Sequence, residues 1–267
     1  MTETILRFVH ITDTHLSPET EYGRHHHGAA HSAREGAITL VETVNALPFQ
    51  PDFILHTGDV VYDPDPAAYG VAKSILSRLK APVYYVAGNH DQGAELQRVL
   101  GGVSTPTPYF HYEREIKGVQ LLVLDSNGPA EPPRGFISPE QLDWLEKRTS
   151  GFDLRPLIVA VHHNVLPVGS PWLDDFMRTT NGWDLHQALL PARGRLRGVF
   201  FGHVHQPLDM VRDGILYASA PSSWCQFHAY PDQVDTISDT DSGPGFNIVT
   251  LTGDQTYVRR CRFVVKP

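Results

Sequence analysis

Apolar runs that stop at small or polar residues recur along the chain, with amphipathic segments between them. Ile5 to Ile11 reads as a first strand, running into Thr12-Asp13-Thr14-His15. From Ala33 to Leu47 the apolar positions Ala33, Ala37, Leu40, Val41, Val44 and Leu47 recur at steps of three and four. That is the period of a helix with one buried face, and Pro48 and Pro51 end it. Phe53 to His56 is the second strand, closing in Thr57-Gly58-Asp59, and Ala68, Ala72, Ile75, Leu76 and Leu79 mark a second helix. Val83 to Ala87 is a short apolar run stopped by Gly88-Asn89-His90-Asp91, as expected of a strand covered on both faces. A helix through Leu96 and Val99 follows.

The second half repeats the theme. Val119 to Leu124 is a strand ending in Asp125-Ser126-Asn127. Ser138-Pro139-Glu140-Gln141 predicts a helix start, with an N-cap Ser, a proline at the first helical position and a capping-box Gln. Leu157 to Val161 and Gly198 to Phe201 are buried strands that end in His162-His163 and Gly202-His203-Val204-His205. Ile215 to Ala218, Phe246 to Leu251 and Tyr257 to Val265 are closing strands whose alternation suggests antiparallel pairing. Strands interleaved with helices predict an α/β fold. With no linker, repeat or compositional break, the 267 residues read as one domain, 1–267.

Composition narrows the function. Lys plus Arg is 22 against 30 Asp plus Glu, a formal charge of −8 with no basic run, which speaks against a long nucleic-acid partner. No apolar stretch reaches the roughly 18 residues of a membrane span. The start, Met1-Thr2-Glu3-Thr4, lacks a basic leader and enters a strand at once, so a cytoplasmic protein is expected. Cys225 and Cys261 are too few for a disulfide framework and are not spaced as a metal pair. Fifteen histidines is the unusual figure, and several fall in loops, which invites a metal reading.

Those loops lie at strand ends, where ligands gather in open sheets of this kind. Asp13 and His15 stand two apart and, in an extended segment, project to the same side; His203 and His205 do likewise. Any one of these could be a turn cap or a packed core histidine. Five strand ends together supply Asp13, His15, Asp59, Asn89, His162 or His163, His203 and His205. Nitrogen and oxygen donors without a thiolate suit Zn, Mn or Fe. Seven donors exceed what one tetrahedral zinc needs, so the economical arrangement is two ions sharing a carboxylate, Asp59. Such a centre carries surplus positive charge and attracts an anion, most naturally a phosphate ester.

Asp13-x-His15, Gly58-Asp59, Gly88-Asn89-His90-Asp91, His162-His163 and Gly202-His203-x-His205 resemble, in the same order, the motif series of the calcineurin-like metallophosphoesterases. His10 to Leu16, Leu166-Pro167-Val168-Gly169, Gly202 to Gln206 and Pro221 to Phe227 resemble the class III cyclic nucleotide phosphodiesterases and their glycerophosphodiesterase relatives. Core packing is the other reading of the Ser223-Trp224-Cys225-Gln226-Phe227 stretch. The resemblance implies a four-layer α/β sandwich of two mixed β-sheets flanked by helices. It implies one metal on Asp13, His15, Asp59 and His205 and another on Asp59, Asn89, His162 and His203, iron and manganese before zinc. Relatives often have prolines after the histidine pair, where this chain has Asn164-Val165. Anchoring on Leu166-Pro167 favours His162 as the ligand, with His163 lining the site.

The implied reaction is hydrolysis of a small phosphodiester, first of all a 3′,5′-cyclic nucleotide such as cAMP, by attack of a metal-bridging hydroxide. His90 would sit over the substrate, where it would give a proton to the leaving oxygen or bond a phosphoryl oxygen, and Asn89 would polarise a phosphoryl oxygen. Glycerophosphodiester hydrolysis and broad diesterase or monoesterase activity are the alternatives. A monoesterase calls for extra cations, and only Arg24, Arg34 and Arg134 lie near the motifs. A non-enzymatic scaffold would be expected to have lost donors, and none is missing. Asp91 either orients His90 or caps the following helix. His25-His26-His27 with His31 reads as a solvated loop rather than a lid, and Asp232 to Asp241 as a surface loop, with a lid or a homodimer contact as its alternatives.

Overall fold

The computed structural model describes residues 3–266; Met1, Thr2 and Pro267, and with them part of the Met1-Thr2-Glu3-Thr4 start, lie outside these. In chain order the strands are β1 (Thr4–Ile11), β2 (Phe53–His56), β3 (Val83–Tyr85), β4 (Tyr112–Ile116), β5 (Val119–Val123), β6 (Leu157–Ala160), β7 (Leu196–Phe201), β8 (Asp209–Arg212), β9 (Ile215–Ser219), β10 (Gly245–Thr252) and β11 (Thr256–Arg262). The helices are α1 (Ala33–Asn45), α2 (Pro66–Leu76), α3 (Gly93–Val99), α4 (Pro139–Thr149), α5 (Pro171–Phe176) and α6 (Gly182–Leu189).

Two mixed sheets form, in the orders β11-β10-β1-β2-β3 and β4-β5-β6-β7-β9-β8. β1, β2 and β3 are parallel, as are β5, β6, β7 and β9. Alternation along β1 shows how the layers arise. Leu6 and Phe8 pack toward the second sheet with Leu121, Ile158 and Phe200, while Val9 and Ile11 meet Leu40 and Val41 of α1. Between the sheets Phe8 stacks on Phe53 (4.7 Å) and meets Phe200 edge-on (5.1 Å). On the far side, Leu145 of α4 and Leu185 and Leu189 of α6 cover Leu122, Val159 and Val199. The order helix, sheet, sheet, helix is the expected four-layer sandwich.

Three readings change. β9 runs parallel to β7 and antiparallel only to the edge strand β8, because β8 comes between them in the chain and β9 forms its hairpin with β8, inserting between β8 and β7. The strands β4 and β8 had no clear apolar signal. Gln141 does not complete a capping box: Ser138 accepts from the Gln141 backbone N–H, but the Gln141 side chain bonds the backbone of Asp125 instead, Oε1 accepting from its N–H and Nε2 donating to its carbonyl, both at 2.8 Å. Among the described residues no helix is long and apolar enough to cross a membrane.

Candidate metal centre

The loops that leave β1, β2, β3, β6 and β7 converge at one rim, since the carboxyl ends of the parallel strands in both sheets face the same way. Asp13 and His15, expected in an extended segment, instead have left-handed backbones (φ 51° and 44°), as do Asp59 (52°), His203 (67°) and His205 (49°). Backbone pairing along the neighbouring loop holds them there: the N–H of Asp13 donates to Gly58 O (3.0 Å) and that of His15 to Asp59 O (3.0 Å). The N–H of His203 donates to the Asp13 carboxylate (3.0 Å to Oδ2).

The side chains come together at this rim, His90 among them, since His15, Asp59 and His90 bring ligand atoms within 4.8 Å of one another. Asp13, His15 and His205 bring ligand atoms within 4.8 Å of one another, as do Asp13, Asp59 and His162, and His162, His163 and His203. The Nε2 atoms of His15 and His205 lie 3.0 Å apart. A single oxygen, Asp59 Oδ2, lies 3.7 Å from His15 Nε2 and 3.3 Å from His162 Nε2, and Asn89 Oδ1 is 3.1 Å from His162 Nε2. His162 Nδ1 donates to Thr57 O (2.7 Å) and His205 Nδ1 to Cys225 O (3.0 Å). Such bonds fix the tautomer that turns Nε2 inward as a lone-pair donor. Gly88 is required by closeness: a Cβ there would fall 2.1 Å from Asp59 Oδ1.

Burial and charge act against each other here. Burial pushes His15 down to about 3 and His203 well below the usual imidazole range. For His162 burial is overcome by the Asp59 carboxylate, which holds it at about 9, and Asp13 likewise raises His205. Burial alone would raise Asp59, yet His162 brings it well below the usual carboxylate value. Packing two carboxylates and four imidazoles out of water is costly unless something cationic joins them. The buried Nε2 of His203 and of His163 have no partner among the described residues. Convergent nitrogen and oxygen donors, His162 and His205 oriented from behind and His203 Nε2 left without a partner, fit a pair of metal ions.

A cavity of about 180 Å³ opens on this cluster, lined by His15, Asp59, Asn89, His90, His203 and His205 together with His27, Tyr62, Pro133, Met177, Trp224 and Phe227. Asp13 and His162 are fully buried behind it. A larger hollow of about 470 Å³ beside Phe49 and Tyr257 has no metal-ligating group at its walls. His90 faces the cavity with Nδ1 bound to Tyr62 O (2.8 Å), which leaves Nε2 free.

Three placements depart from expectation. His163 does not line the cavity; it is fully buried with Nδ1 2.6 Å from Ser126 Oγ, its ring packed on His203. Asp91 neither orients His90 nor caps α3, whose N-cap is Gln92. Its carboxylate accepts from the N–H groups of Gly88 (3.0 Å), Val60 (3.2 Å) and Val61 (3.3 Å), tying the loop after β2 to the loop after β3. His25, His26 and His27 are all exposed, as a solvated loop would be, yet His27 also lines the cavity. Tyr62 and Met177 were not singled out in the sequence; Tyr62 could have been, because it stands three residues past Asp59.

A family model described as calcineurin-like phosphoesterase matches residues 6–207. The chain belongs to the calcineurin-like phosphoesterase family. It is accordingly a hydrolase, and the fit of the donors to metal ions agrees with that. It is 30% identical over 259 residues to the 3′,5′-cyclic adenosine monophosphate phosphodiesterase CpdA of Escherichia coli, covering 95% of this chain and 88% of that one. A 3′,5′-cyclic-nucleotide phosphodiesterase of Nostoc is 26% identical, with 86% and 83% covered. Among solved structures, a dimetal phosphatase from Danio rerio superposes with a TM-score of 0.70 at 13% identity, covering 97% of this phosphoesterase and 96% of that chain. The anchor protein GAP50 of the Plasmodium inner membrane complex superposes at 0.65 and 14% identity, over 99% and 90%. At those identities the likeness speaks for the fold alone.

Proposed function

We propose that this phosphoesterase holds two metal ions and hydrolyses a small phosphodiester, foremost a 3′,5′-cyclic nucleotide such as cAMP. The observation that carries the reading is a cavity floored by converging Asp, Asn and His donors whose lining contains no Lys or Arg. Arg24 is spent on Glu21 and Glu35, Arg34 on the carbonyls of Ser17 and Pro18, and Arg134 on that of Asp175. A phosphodiester has one charge for the ions to meet, whereas a monoester brings a second that these walls do not answer. The names of the similar enzymes from Escherichia coli and Nostoc support the cyclic-nucleotide choice.

Asp13, His15, Asp59 and His205 would hold one ion, and Asp59, Asn89, His162 and His203 the other. Asp59 is the shared carboxylate because one of its oxygens lies near both His15 and His162. The donors contain no thiolate, which suits iron and manganese, with zinc as the remaining choice. When bound, two such ions supply hydroxide near neutral pH and neutralise charge developing on the phosphoryl oxygens. The chain's own groups do the rest. His90, its Nδ1–H committed to Tyr62 O, presents Nε2 to the cavity and there holds the proton for the departing ribose oxygen. Asn89 directs Oδ1 toward His162 and leaves its NH₂ for a phosphoryl oxygen.

Purified protein loaded in turn with manganese, iron and zinc tests this on 3′,5′-cyclic nucleotides, 2′,3′-cyclic nucleotides, glycerophosphodiesters and a monoester. Elemental analysis should find two ions per chain, and 3′,5′-cyclic nucleotides should give the highest kcat/KM. One ion per chain, or a preference for the monoester, would overturn the proposal.

A further inference from the structure

The loop between β1 and α1 is built over the metal centre, its three consecutive histidines exposed as the sequence suggests. Its path is set by close packing. Gly23 has φ +83°, and a Cβ there would fall 2.5 Å from the Trp224 indole nitrogen. That nitrogen donates to Gly23 O (3.0 Å), and His31 Nε2 lies 3.2 Å from Ser223 O. Ala29, Ala33, Trp224 and Cys225 bury together, with Tyr22 and Phe227 packed against them. The loop therefore rests on the Pro221 to Phe227 segment as a fixed piece, with local backbone bonds from His25 N–H to Ala29 O and from Ala29 N–H to His26 O, both 2.9 Å.

Beyond the candidate ligand His15, His27 is the side chain of this loop that lines the cavity. His27 has a left-handed backbone (φ 50°) inside the short 3-10 turn His26–Gly28. Its ring stands nearly perpendicular to Trp224 (centroids 5.8 Å, 73°) and to Phe227 (5.1 Å, 75°). It shares the cavity wall with both of them and with Tyr62. A left-handed residue on a pinned loop fixes the direction in which its side chain leaves the backbone, and strain of this kind collects at ligand clamps. The resulting wall is aromatic and free of Lys and Arg. It has little to offer a charged or aliphatic alcohol, and much to offer a flat heteroaromatic ring, which stacks on aromatic side chains regardless of its hydrogen-bonding edge.

We propose that His27 is a specificity-determining residue that stacks against the nucleobase of a cyclic nucleotide while the phosphate sits on the metal centre. The inference rests on the cyclic-nucleotide reading above and adds which residue recognises the base. It also predicts tolerance toward the identity of the base, since stacking does not read donors and acceptors.

The test compares 3′,5′-cAMP with the same cyclic ribose phosphate lacking a base, on the manganese-loaded full-length protein. His27→Asn removes the ring but keeps a residue type that accepts a left-handed backbone. Its kcat/KM for cAMP should fall about tenfold relative to the base-free diester, through KM, as expected for losing one base–aromatic stack. His27→Phe, which retains a flat ring, should recover most of the ratio, and the exposed His26→Ala should leave both substrates alone. Independently of turnover, calorimetry should show adenosine 5′-monophosphate bound about tenfold more weakly by His27→Asn. An unchanged ratio in His27→Asn, or equal losses on both substrates, would overturn the role given to His27 while leaving the diesterase reading intact. Hydrolysis of the base-free diester with no turnover of cAMP by the unaltered protein would overturn the substrate reading, and this inference with it.

Discussion

Five of the candidate ligands, Asp13, His15, Asp59, His203 and His205, occupy left-handed backbone, a conformation that costs a non-glycine residue about 1–3 kcal/mol. Asp and His enter that conformation more often than most residues, but most of them do not, so the residues were legible in the sequence and their path was not. An extended Asp-x-His would spread two side chains along a strand; two left-handed residues turn both inward within one loop. His90 stands apart from this group, its ring held by Tyr62 and facing the cavity with Nε2. His90→Ala should therefore lower kcat by about 10²- to 10⁴-fold while elemental analysis finds the metal content unchanged; metal loss in that variant would contradict the proton-holding role. The ligands themselves predict how metal uptake responds to pH. In the metal-free protein Asp59 holds His162 at about 9 against an ordinary 6.5. A raised value means that the His162–Asp59 pair stabilises the fold fully below about 6.5 and is lost as pH rises through about 9. A metal can take Nε2 only after that proton leaves. Apparent metal affinity should climb with pH across this window, with protons released on binding, as calorimetry in two buffers of different ionisation heat would show; a flat response would contradict the pairing.

Among the elements, those with a strong apolar period were the ones the sequence disclosed: β1, β2, α1 and β5 to β7 begin and end within a few residues of where their patterns do. The missed strands are both sheet edges. β4 reads Tyr-Glu-Arg-Glu-Ile and β8 Asp-Met-Val-Arg, and charge on an edge strand guards it from pairing with other chains, which also erases the alternation by which a strand is recognised. The Gln141 contact was hidden for a different reason. Its spacing from Ser138 satisfies the capping-box pattern, but the end of β5 offers a buried backbone N–H and carbonyl at Asp125 that need partners, and the side chain goes there. Gln141→Ala would leave both unpaired in a fully buried position, at a cost of about 2–4 kcal/mol. Urea denaturation should show that loss as a lower midpoint with an unchanged slope. A variant as stable as the parent would mean that α4 is not tied to β5 through this residue.

At the scale of the whole molecule, alternation of strands and helices was enough to expect an α/β protein but not to say which strand belongs to which sheet. Periodicity does not reveal that β10 comes back from the far end of the chain to lie beside β1; the division into two sheets came only with the family resemblance, and their strand order only with the structure. That order is what makes the centre possible. The first sheet contributes Asp13, His15, Asp59 and Asn89 from the ends of β1, β2 and β3, and the second contributes His162, His203 and His205 from β6 and β7. Between them lies a shared core in which Phe8 and Phe53 of one sheet meet Phe200 of the other. Ions bound at this rim would cross-link the sheets at a point where buried carboxylates otherwise rely on imidazoles alone. Because the ions bind the folded chain, they should stabilise it by mass action, by about 2.7 kcal/mol for each at a free concentration 100 times its Kd. If residues 1–267 fold as the single unit inferred from the sequence, calorimetry should show one transition that moves upward as a whole with manganese and returns with a chelator. Two transitions, only one of them sensitive to metal, would mean that the sheets melt independently and that the centre does not join them.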